Sequence, residues 1–281
     1  MNEETNSAEA GAGPTDSLGP SRMTEGNRKS EGGLGTTRPT FGKKLFNGLR
    51  DVVFPPVCLG CGGLVEGGRL RHVCVPCETM IHFVEEPHCS TCGSPFFGEV
   101  EGERMCPHCD GLHPQYGEGR TLTLFKGAAR ALVHALKYHH GQHVLGDIET
   151  LARGSEHLME FVRGAVLVPV PLHARKERER GYNQTALLAE VLARAAGGTT
   201  RVERLLRRVV DTPSQTTFDR KARRANLKNA FALARGATIN PGSPYLLVDD
   251  VFTTGSTLNS CAGVLRRAGA LNLNVVTFGH G

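Results

Sequence analysis

The chain has 281 residues, of which 39% are hydrophobic, and a formal net charge of +5. This length suits one substantial α/β domain with a smaller module, and no apolar run is long enough for a transmembrane helix. Without the apolar core of a secretory signal, we expect a cytoplasmic protein. Residues 201–228 hold nine lysines and arginines against three acids, a net +6. Such clustering favours a polyanionic ligand, with a solvated helical face as the alternative.

The first part of the chain predicts a tail followed by a small module. Residues 1–42 hold too few large apolar side chains to offset the entropy of ordering, which predicts a disordered tail. Apolar residues at helical spacing then run from Phe41 to Val53 and end at Pro55. This pattern predicts a short amphipathic helix. We expect the helix to begin a metal-binding module over residues 43–116.

Eight of the nine cysteines form four Cys-x-x-Cys pairs, in two blocks of similar internal spacing. Such blocks are an internal repeat. Gly62 and Gly93 follow the first pair of each block and allow the tight turn of a metal knuckle. Four thiolates from two such turns make a closed tetrahedral zinc site, so the sequence predicts two structural zinc ions. The ligands are Cys58, Cys61, Cys74 and Cys77 in the first block, and Cys89, Cys92, Cys106 and Cys109 in the second.

Three other interpretations of the cysteines remain open. Disulfides fit poorly with a chain that has no export signal. Pairing of one block's cysteines with the other's is a second alternative. The histidines at positions 72, 88 and 108 are close enough in sequence to compete as ligands, although four cysteines per block leave them unnecessary.

A second informative stretch begins with the apolar run from Tyr245 to Val248, which predicts a buried strand. The strand ends in two carboxylates, Asp249 and Asp250, which we expect to face solvent. A hydroxyl-rich loop and a helical pattern follow, and backbone N–H groups at such a helix start favour anions. Glycine in the loop lets the backbone approach a phosphate closely. The predicted anion loop consists of Thr253, Thr254, Gly255, Ser256 and Thr257.

A ribose 5-phosphate satisfies both halves of this stretch, since the loop takes the phosphate and the carboxylates accept from the vicinal hydroxyls. The alternative is an ordinary strand–turn–helix capped by Ser256 or Thr257. The string Val-Asp-Asp-Val-Phe-Thr-Thr-Gly-Ser-Thr resembles the signature with which type I phosphoribosyltransferases bind 5-phosphoribosyl 1-diphosphate (PRPP).

Two further strings accompany this signature. An apolar run from Val166 is stopped by Pro169 and Pro171, and a basic loop and a helix follow. Guanidinium groups bind phosphate oxygens in pairs, which makes Arg175 and Arg180 candidates for a diphosphate. A polar, basic stretch from Thr212 onward contains Arg223 and precedes another helix, so it predicts either a lid over the ligand or a surface helical hairpin.

Together these strings resemble the ComF family of competence-associated proteins over about residues 43–281. The resemblance rests on the tandem cysteine pairs, Leu136-Lys137-Tyr138, the Pro-Val-Pro-Leu string with its Arg-Gly-Tyr-Asn-Gln ending, a Thr-x-x-Gln string followed by the Arg-x-x-Asn string that begins at Arg223, and the Asp-Asp signature. It implies a type I phosphoribosyltransferase fold behind a double zinc ribbon, with Arg223 in the ligand pocket. It also implies handling of incoming single-stranded DNA beside other competence-machinery proteins, and no insertion into a membrane.

For residues 117–281 we expect a mostly parallel sheet with helices on both faces, and a ligand at the carboxyl ends of the strands. Strands are predicted near 121–125, 166–170, 245–249 and 273–278, and helices near 128–138, 183–196 and 256–268.

Two functions fit these expectations. The first is phosphoribosyl transfer from PRPP, in which Asp249 and Asp250 hold the ribose and Mg²⁺ neutralises the leaving diphosphate. The second is a binding module that senses PRPP or a nucleotide while its basic surface and ribbons hold single-stranded nucleic acid. The absence of tryptophan weakens the second hypothesis, because few aromatic platforms are available for stacking.

Overall fold

The structure is a computed structural model, and it describes residues 55–98, 102, 104–107, 109, 111–138, 141–210 and 229–281. The predicted tail, the amphipathic helix and most of the third string lie outside the described residues, as do His108 and Arg223. The described residues belong to one compact unit, Asn47–Gly281. The boundary expected between residues 116 and 117 stays a prediction.

A five-stranded parallel sheet forms the centre of the described part of the chain, in the order β1-β7-β6-β2-β3. A short antiparallel hairpin of β4 and β5 lies beside it. The strands are β1 (Gly119–Leu124), β2 (Val166–Pro169), β3 (Arg201–Val202), β4 (Leu206–Arg208), β5 (Phe231–Leu233), β6 (Pro244–Phe252) and β7 (Asn272–His280).

Seven α-helices are described, and a 3₁₀ turn at Gly141–Val144 precedes the third of them. They are α1 (Val75–Thr79), α2 (Gly127–Lys137), α3 (Leu145–Arg153), α4 (Glu156–Val162), α5 (Ala174–Arg180), α6 (Gln184–Ala196) and α7 (Ser256–Arg267). No helix in the described ranges has both the length and the apolar character needed to cross a membrane.

The four strands and three helices predicted for residues 117–281 are confirmed, and two expectations need correction. The basic stretch expected to be a loop is helix α5, which has no buried residue and therefore no apolar stripe to reveal it. His173 caps its start and Gly181 ends it in the left-handed region, with φ of 83°. In addition, β6 continues to Phe252, so the two carboxylates lie within the strand and not at its end.

The sheet separates two hydrophobic cores, which confirms the expected α/β class. Alternate residues of the central strand face opposite sides: Leu246 and Val248 join one core, while Tyr245 and Leu247 join the other. Helices α2, α3, α4 and α6 supply the first core, and α7 supplies the second. Near-continuous apolar strands such as β2 and β6 result from this coverage on both faces.

The cysteine-rich segment covers the free edge of β1. Leu122 accepts a hydrogen bond from the backbone N–H of Val84 at 3.0 Å, and Gly119 donates to the carbonyl of Ser90 at 2.7 Å. The approach is so close that a Cβ on Gly93 would lie 2.6 Å from the backbone nitrogen of Thr121. An unpaired sheet edge exposes backbone N–H and C=O groups that can pair with another chain. Here the cysteine-rich segment of the same chain forms hydrogen bonds with these groups.

The strand order reverses between β2 and β6, which opens a crevice at their carboxyl ends. On one side β2 pairs with β6 only as far as Pro169 and Val248. On the other side β7 follows β6 to Phe252. The residues of β6 beyond Val248 therefore lie along an open cleft at the topological switch point, where open α/β sheets bind ligands.

Candidate ligand-binding site and metal centres

The structure groups the eight paired cysteines into two clusters, each made of one sequence block. In the first, the sulfur atoms of Cys61 and Cys74 are 3.7 Å apart, and in the second those of Cys92 and Cys106 are 3.5 Å apart. Four thiolates around a tetrahedral Zn²⁺ with bonds of about 2.3 Å would be separated by about 3.8 Å. The separations exceed an S–S bond of about 2.05 Å. The clusters therefore fit two structural zinc sites and not disulfides.

The two clusters share the same local hydrogen bonds. The N–H of Cys74 donates to the sulfur of Cys58 at 3.3 Å, and that of Cys106 to the sulfur of Cys89 at 3.2 Å. Gly62 and Gly93 close the knuckles with positive φ angles of 76° and 71°. N–H donors stabilise the thiolate form that binds metal. The internal repeat in the sequence is thus a repeat of structure.

The nearby described histidines take part in contacts between the ribbons and the α/β sheet. His72 lies beside the buried Asp147 of α3, whose carboxylate accepts from the backbone N–H groups of Arg71 and His72, both at 2.8 Å. These bonds and the nearby His72 ring lower the pKa of Asp147 against the effect of its burial. The Nε2 atom of His88 lies 3.2 Å from that of His157. Both rings thus have partners outside the four-cysteine clusters.

At the switch point the crevice widens into a cavity of about 700 Å³. Its walls come from the C-terminal end of α2, the segment after β2, helices α5 and α6, the β4 strand, and the acidic part of β6. The lining residues are Lys137, Tyr138, Val170, Pro171, Leu172, Lys176, Glu179, Arg180, Gln184, Thr185, Arg208, Asp249, Asp250 and Thr257.

Asp250 is buried, with 5% of its surface exposed, which corrects the expectation that both carboxylates face solvent. The ammonium nitrogen of Lys137 lies 2.8 Å from its Oδ1, and the side-chain amide of Gln184 donates to its Oδ2 at 2.9 Å. Arg180 in turn donates to the carbonyl oxygen of Gln184. A buried carboxylate is tolerated only with such partners.

Asp249 is partly buried and has a different environment. Burial and the neighbouring Asp250 carboxylate raise the pKa of Asp249 to about 7, while Lys137 and Arg208 oppose part of that rise. Its Oδ1 accepts a hydrogen bond from the backbone N–H of Asp250 at 2.9 Å. The two adjacent acids therefore differ. The carboxylate of Asp250 is held by Lys137 and Gln184, whereas that of Asp249 can bind a proton, a cation or a hydroxyl group that donates a hydrogen bond.

The predicted anion loop forms a tight turn between β6 and α7, which we call the anion turn (residues 253–257). Gly255 is the N-cap of α7, with φ of 66°, and has no side chain to cap the helix, while the Ser256 N–H makes a long hydrogen bond of 3.4 Å to the Thr254 hydroxyl. Thr254 donates through its hydroxyl to that of Ser256 at 3.0 Å. Of the five turn residues, Thr257 lines the cavity together with Asp249 and Asp250, and the other four do not. A helix start without a side-chain cap leaves backbone N–H groups directed at a ligand.

The two predicted diphosphate arginines have different positions. Arg180 lines the cavity, whereas Arg175 lies on the exposed side of α5 and pairs with Glu179 at 3.5 Å. The sequence-based site omitted Lys137, Lys176 and Arg208, three cations that line the same cavity. Lys137 was part of the string on which the family resemblance rests, but neither its spacing nor its charge predicted the contact with Asp250.

The comparisons with known proteins agree with this architecture. Residues 49–110 match the model of the double zinc ribbon domain. The DNA utilization protein YhgH of Salmonella typhimurium is 30% identical over 205 residues, which cover 66% of this chain and 87% of that protein. Competence protein F of Haemophilus influenzae is 29% identical over 222 residues, 78% of this chain and 94% of the relative. The chain belongs to the ComF family.

A more distant ComF relative and one solved enzyme structure complete the comparison. Competence protein ComFC of Bacillus subtilis is 23% identical over 215 residues, covering 70% of this chain and 79% of that protein. A hypoxanthine phosphoribosyltransferase from Staphylococcus aureus aligns in structure with 18% identity and a TM-score of 0.32, over 47% of this chain and 62% of the enzyme. That score is low, so the fold class stands on the order and direction of the strands described above.

We predict two tightly held zinc ions per chain, because each block forms its own four-sulfur cluster. Elemental analysis of protein purified without added metal measures this number. Cys92→Ser should lower it to about one, with the first cluster still loaded. A wild-type value near zero would contradict the zinc assignment, and a value near one would mean that one cluster does not hold zinc.

We also predict that Asp249→Asn stabilises the fold more at high pH than at low pH. The pKa of Asp249 is about 7 in the folded chain and about 3.9 when unfolded. The stability that the protonated Asp249 carboxyl contributes is therefore fully present below a pH of about 3.9, and it is lost as the pH rises through about 7.

The free energy of unfolding should increase by about 1–2 kcal/mol at pH 8, and by less at pH 5. Urea titrations at both pH values measure the difference, and the exposed Glu190→Gln provides the control. An equal effect of Asp249→Asn at both pH values would show that its carboxyl titrates normally.

Proposed function

We propose that the cavity binds PRPP or a related ribose 5-phosphate compound together with Mg²⁺, and transfers the phosphoribosyl group to an acceptor. One observation carries the proposal: Thr257 of the anion turn and the Asp249–Asp250 pair line a single cavity at the switch point of the sheet. This combination suits a ligand with a phosphate at one end and vicinal hydroxyls in the middle. A ligand that carries phosphate alone could bind the cations of this cavity but would gain nothing from the two carboxylates.

The 5-phosphate belongs at the anion turn in this proposal. The α7 start offers backbone N–H groups and the positive end of the helix dipole, and Thr253, Thr254, Ser256 and Thr257 offer hydroxyl donors. Asp249 accepts from a ribose hydroxyl, and its raised pKa falls when a hydroxyl donor or a divalent cation satisfies the carboxylate. Asp250 retains lone pairs beyond those used by Lys137 and Gln184, so it supports the neighbouring hydroxyl.

The diphosphate belongs on the opposite, basic wall. Arg180 and Lys176 line it, and Arg208 approaches from the hairpin. Asp249 is the carboxylate that would hold a Mg²⁺ ion brought with the ligand, and that ion would supply charge neutralisation to the leaving diphosphate. Arg223 is assigned to the same ligand by the family resemblance alone.

The test of ligand binding needs a single substitution. A double Asp→Asn exchange is unsuitable, because Asp250→Asn would leave the ammonium of Lys137 without its counter-ion. Asp249→Asn removes one carboxylate without that cost. We expect it to weaken PRPP binding about 10- to 100-fold, since hydrogen bonds to charged groups contribute about 1.5–3 kcal/mol.

Calorimetric titration with PRPP and Mg²⁺ measures the change, with Glu190→Gln as a matched loss of one exposed carboxylate. Equal affinity of wild type and folded Asp249→Asn would exclude the ribose assignment. Diphosphate release from PRPP, measured across a panel of bases and amines, then separates transfer from binding alone. Binding without release for any acceptor would favour a sensor.

A second candidate function is the handling of single-stranded DNA, and the relatives' names favour it. The curated relatives are called competence proteins and DNA utilization proteins, and residues 201–228 carry a net charge of +6. Counterion release then predicts that each phosphate contact adds about 0.7 to the slope of log affinity against log salt. A DNA-handling role in the cytoplasm also fits a chain whose paired cysteines form thiolate clusters.

Replacing Arg220, Lys221 and Arg224 by glutamine should flatten that slope by about 2 for three phosphate contacts and leave PRPP binding unchanged. Fluorescence anisotropy with a labelled oligonucleotide at several salt concentrations gives the slope. A slope that does not change would exclude this segment from DNA contact. Weakened PRPP binding would instead favour its role as a lid.

A further inference from the structure

We propose that Leu112 and Asn259 are positioning residues that hold the anion turn in its ligand-binding shape, and thereby make the second zinc cluster part of the phosphate site. The inference rests on the proposed function and names the elements that support its phosphate-binding half. Neither residue lines the cavity itself. Both act through the backbone of the turn.

The underside of the anion turn lies directly on two side chains. A Cβ placed on Gly255 would lie 2.6 Å from Cζ of Phe252 and 2.9 Å from Cδ2 of Leu112. Leu112 is buried, with 5% of its surface exposed, and Phe252 with 1%. At such distances the position of the Gly255 backbone is fixed by what lies beneath it, because close-packed atoms transmit displacement.

Leu112 is joined to the second metal cluster by a short piece of chain. Its N–H donates to the carbonyl of Cys109, a predicted zinc ligand, at 2.9 Å. The four cysteines of that cluster share one hydrophobic core with Leu112, Phe252 and Leu258. A zinc ion that fixes Cys109 therefore also fixes the side chain beneath Gly255.

Asn259 fastens the same piece of chain to the first turn of α7. Its side-chain oxygen accepts from the N–H of Gln115 at 2.6 Å. Its amide nitrogen donates to the carbonyls of Leu112 and His113 at 3.2 and 3.3 Å. Its own backbone N–H donates to Gly255 at 2.8 Å. One side chain thus links the exit of the second ribbon to the residue that begins the helix.

The first metal cluster has no comparable position in the described ranges. Its buried cysteines belong to the core on the other face of the sheet, with Leu70 and the residues of α2. The two ribbons, although alike in sequence, are therefore predicted to differ in function. The first ribbon contributes stability, and the second also sets the geometry of the phosphate site.

The test compares two probes that report on opposite ends of the cavity, ribose 5-phosphate and inorganic diphosphate. We expect Leu112→Ala and Asn259→Ala each to weaken ribose 5-phosphate at least tenfold, while diphosphate affinity changes less than twofold. Zinc content should stay at the wild-type value. The controls are Leu70→Ala, an equally buried leucine in the first ribbon, and Asn240→Ala, whose side chain caps a loop before β6. Both should bind ribose 5-phosphate like the wild type.

Two further measurements separate positioning from a general loss of structure. Leu112→Met keeps most of the buried volume and should restore ribose 5-phosphate affinity to within about threefold of wild type. Parallel loss of both probes in Leu112→Ala and Asn259→Ala, or an equal loss in Leu70→Ala, would overturn the inference. Wild-type affinity in both positioning variants would overturn it as well. A wild-type protein that binds no ribose 5-phosphate would instead overturn the proposed function, and this inference with it.

Discussion

Two adjacent carboxylates in an otherwise apolar parallel strand are the constraint on which the rest of this structure depends. Strand β6 is buried on both faces, and a charge in such a place is stable only when partners reach it. Three different elements supply them: Lys137 ends α2, Gln184 begins α6 and Arg208 ends β4. The early end of β2 leaves space for these partners, and that same space is the cavity. The need to solvate Asp249 and Asp250 thus shapes the site before any ligand is considered.

The second constraint is the free edge of the sheet at β1. In a parallel sheet an unpaired edge strand exposes backbone groups that must be covered or charged. The ribbon segment covers them through Val84 and Ser90, and its glycines allow an approach that any Cβ would prevent at Gly93. The cysteine clusters consequently share cores with the sheet instead of forming a separate one. Zinc ions in these clusters would therefore stabilise the α/β fold as well as the small module that binds them.

Features set by residues close together in sequence could be predicted, whereas features set by contacts between distant residues could not. The long strands and helices follow from local apolar patterns, and the grouping of the cysteines follows from their spacing. Helix α5 escaped prediction because its Lys-, Arg- and Glu-rich sequence favours a helix without any apolar stripe. The burial of Asp250 could not be predicted, since its partner Lys137 is 113 residues away in sequence. The sequence places an acidic pair beside an anion loop, but only the tertiary structure distinguishes Asp250, which pairs with Lys137, from Asp249, whose pKa is raised.

This distinction bears on how the site responds to a ligand. Lys137 already pairs with Asp250. The carboxylate of the cavity that is least stable in its charged form is therefore that of Asp249, whose pKa is raised. A ligand that brings a hydroxyl donor or a divalent cation to Asp249 relieves an unfavourable interaction and adds a favourable one. A second phosphate would gain only from the basic wall of Arg180 and Lys176. For the proposed function, the arrangement therefore favours a compound that carries sugar hydroxyls between two phosphate-bearing ends over one that carries phosphate alone.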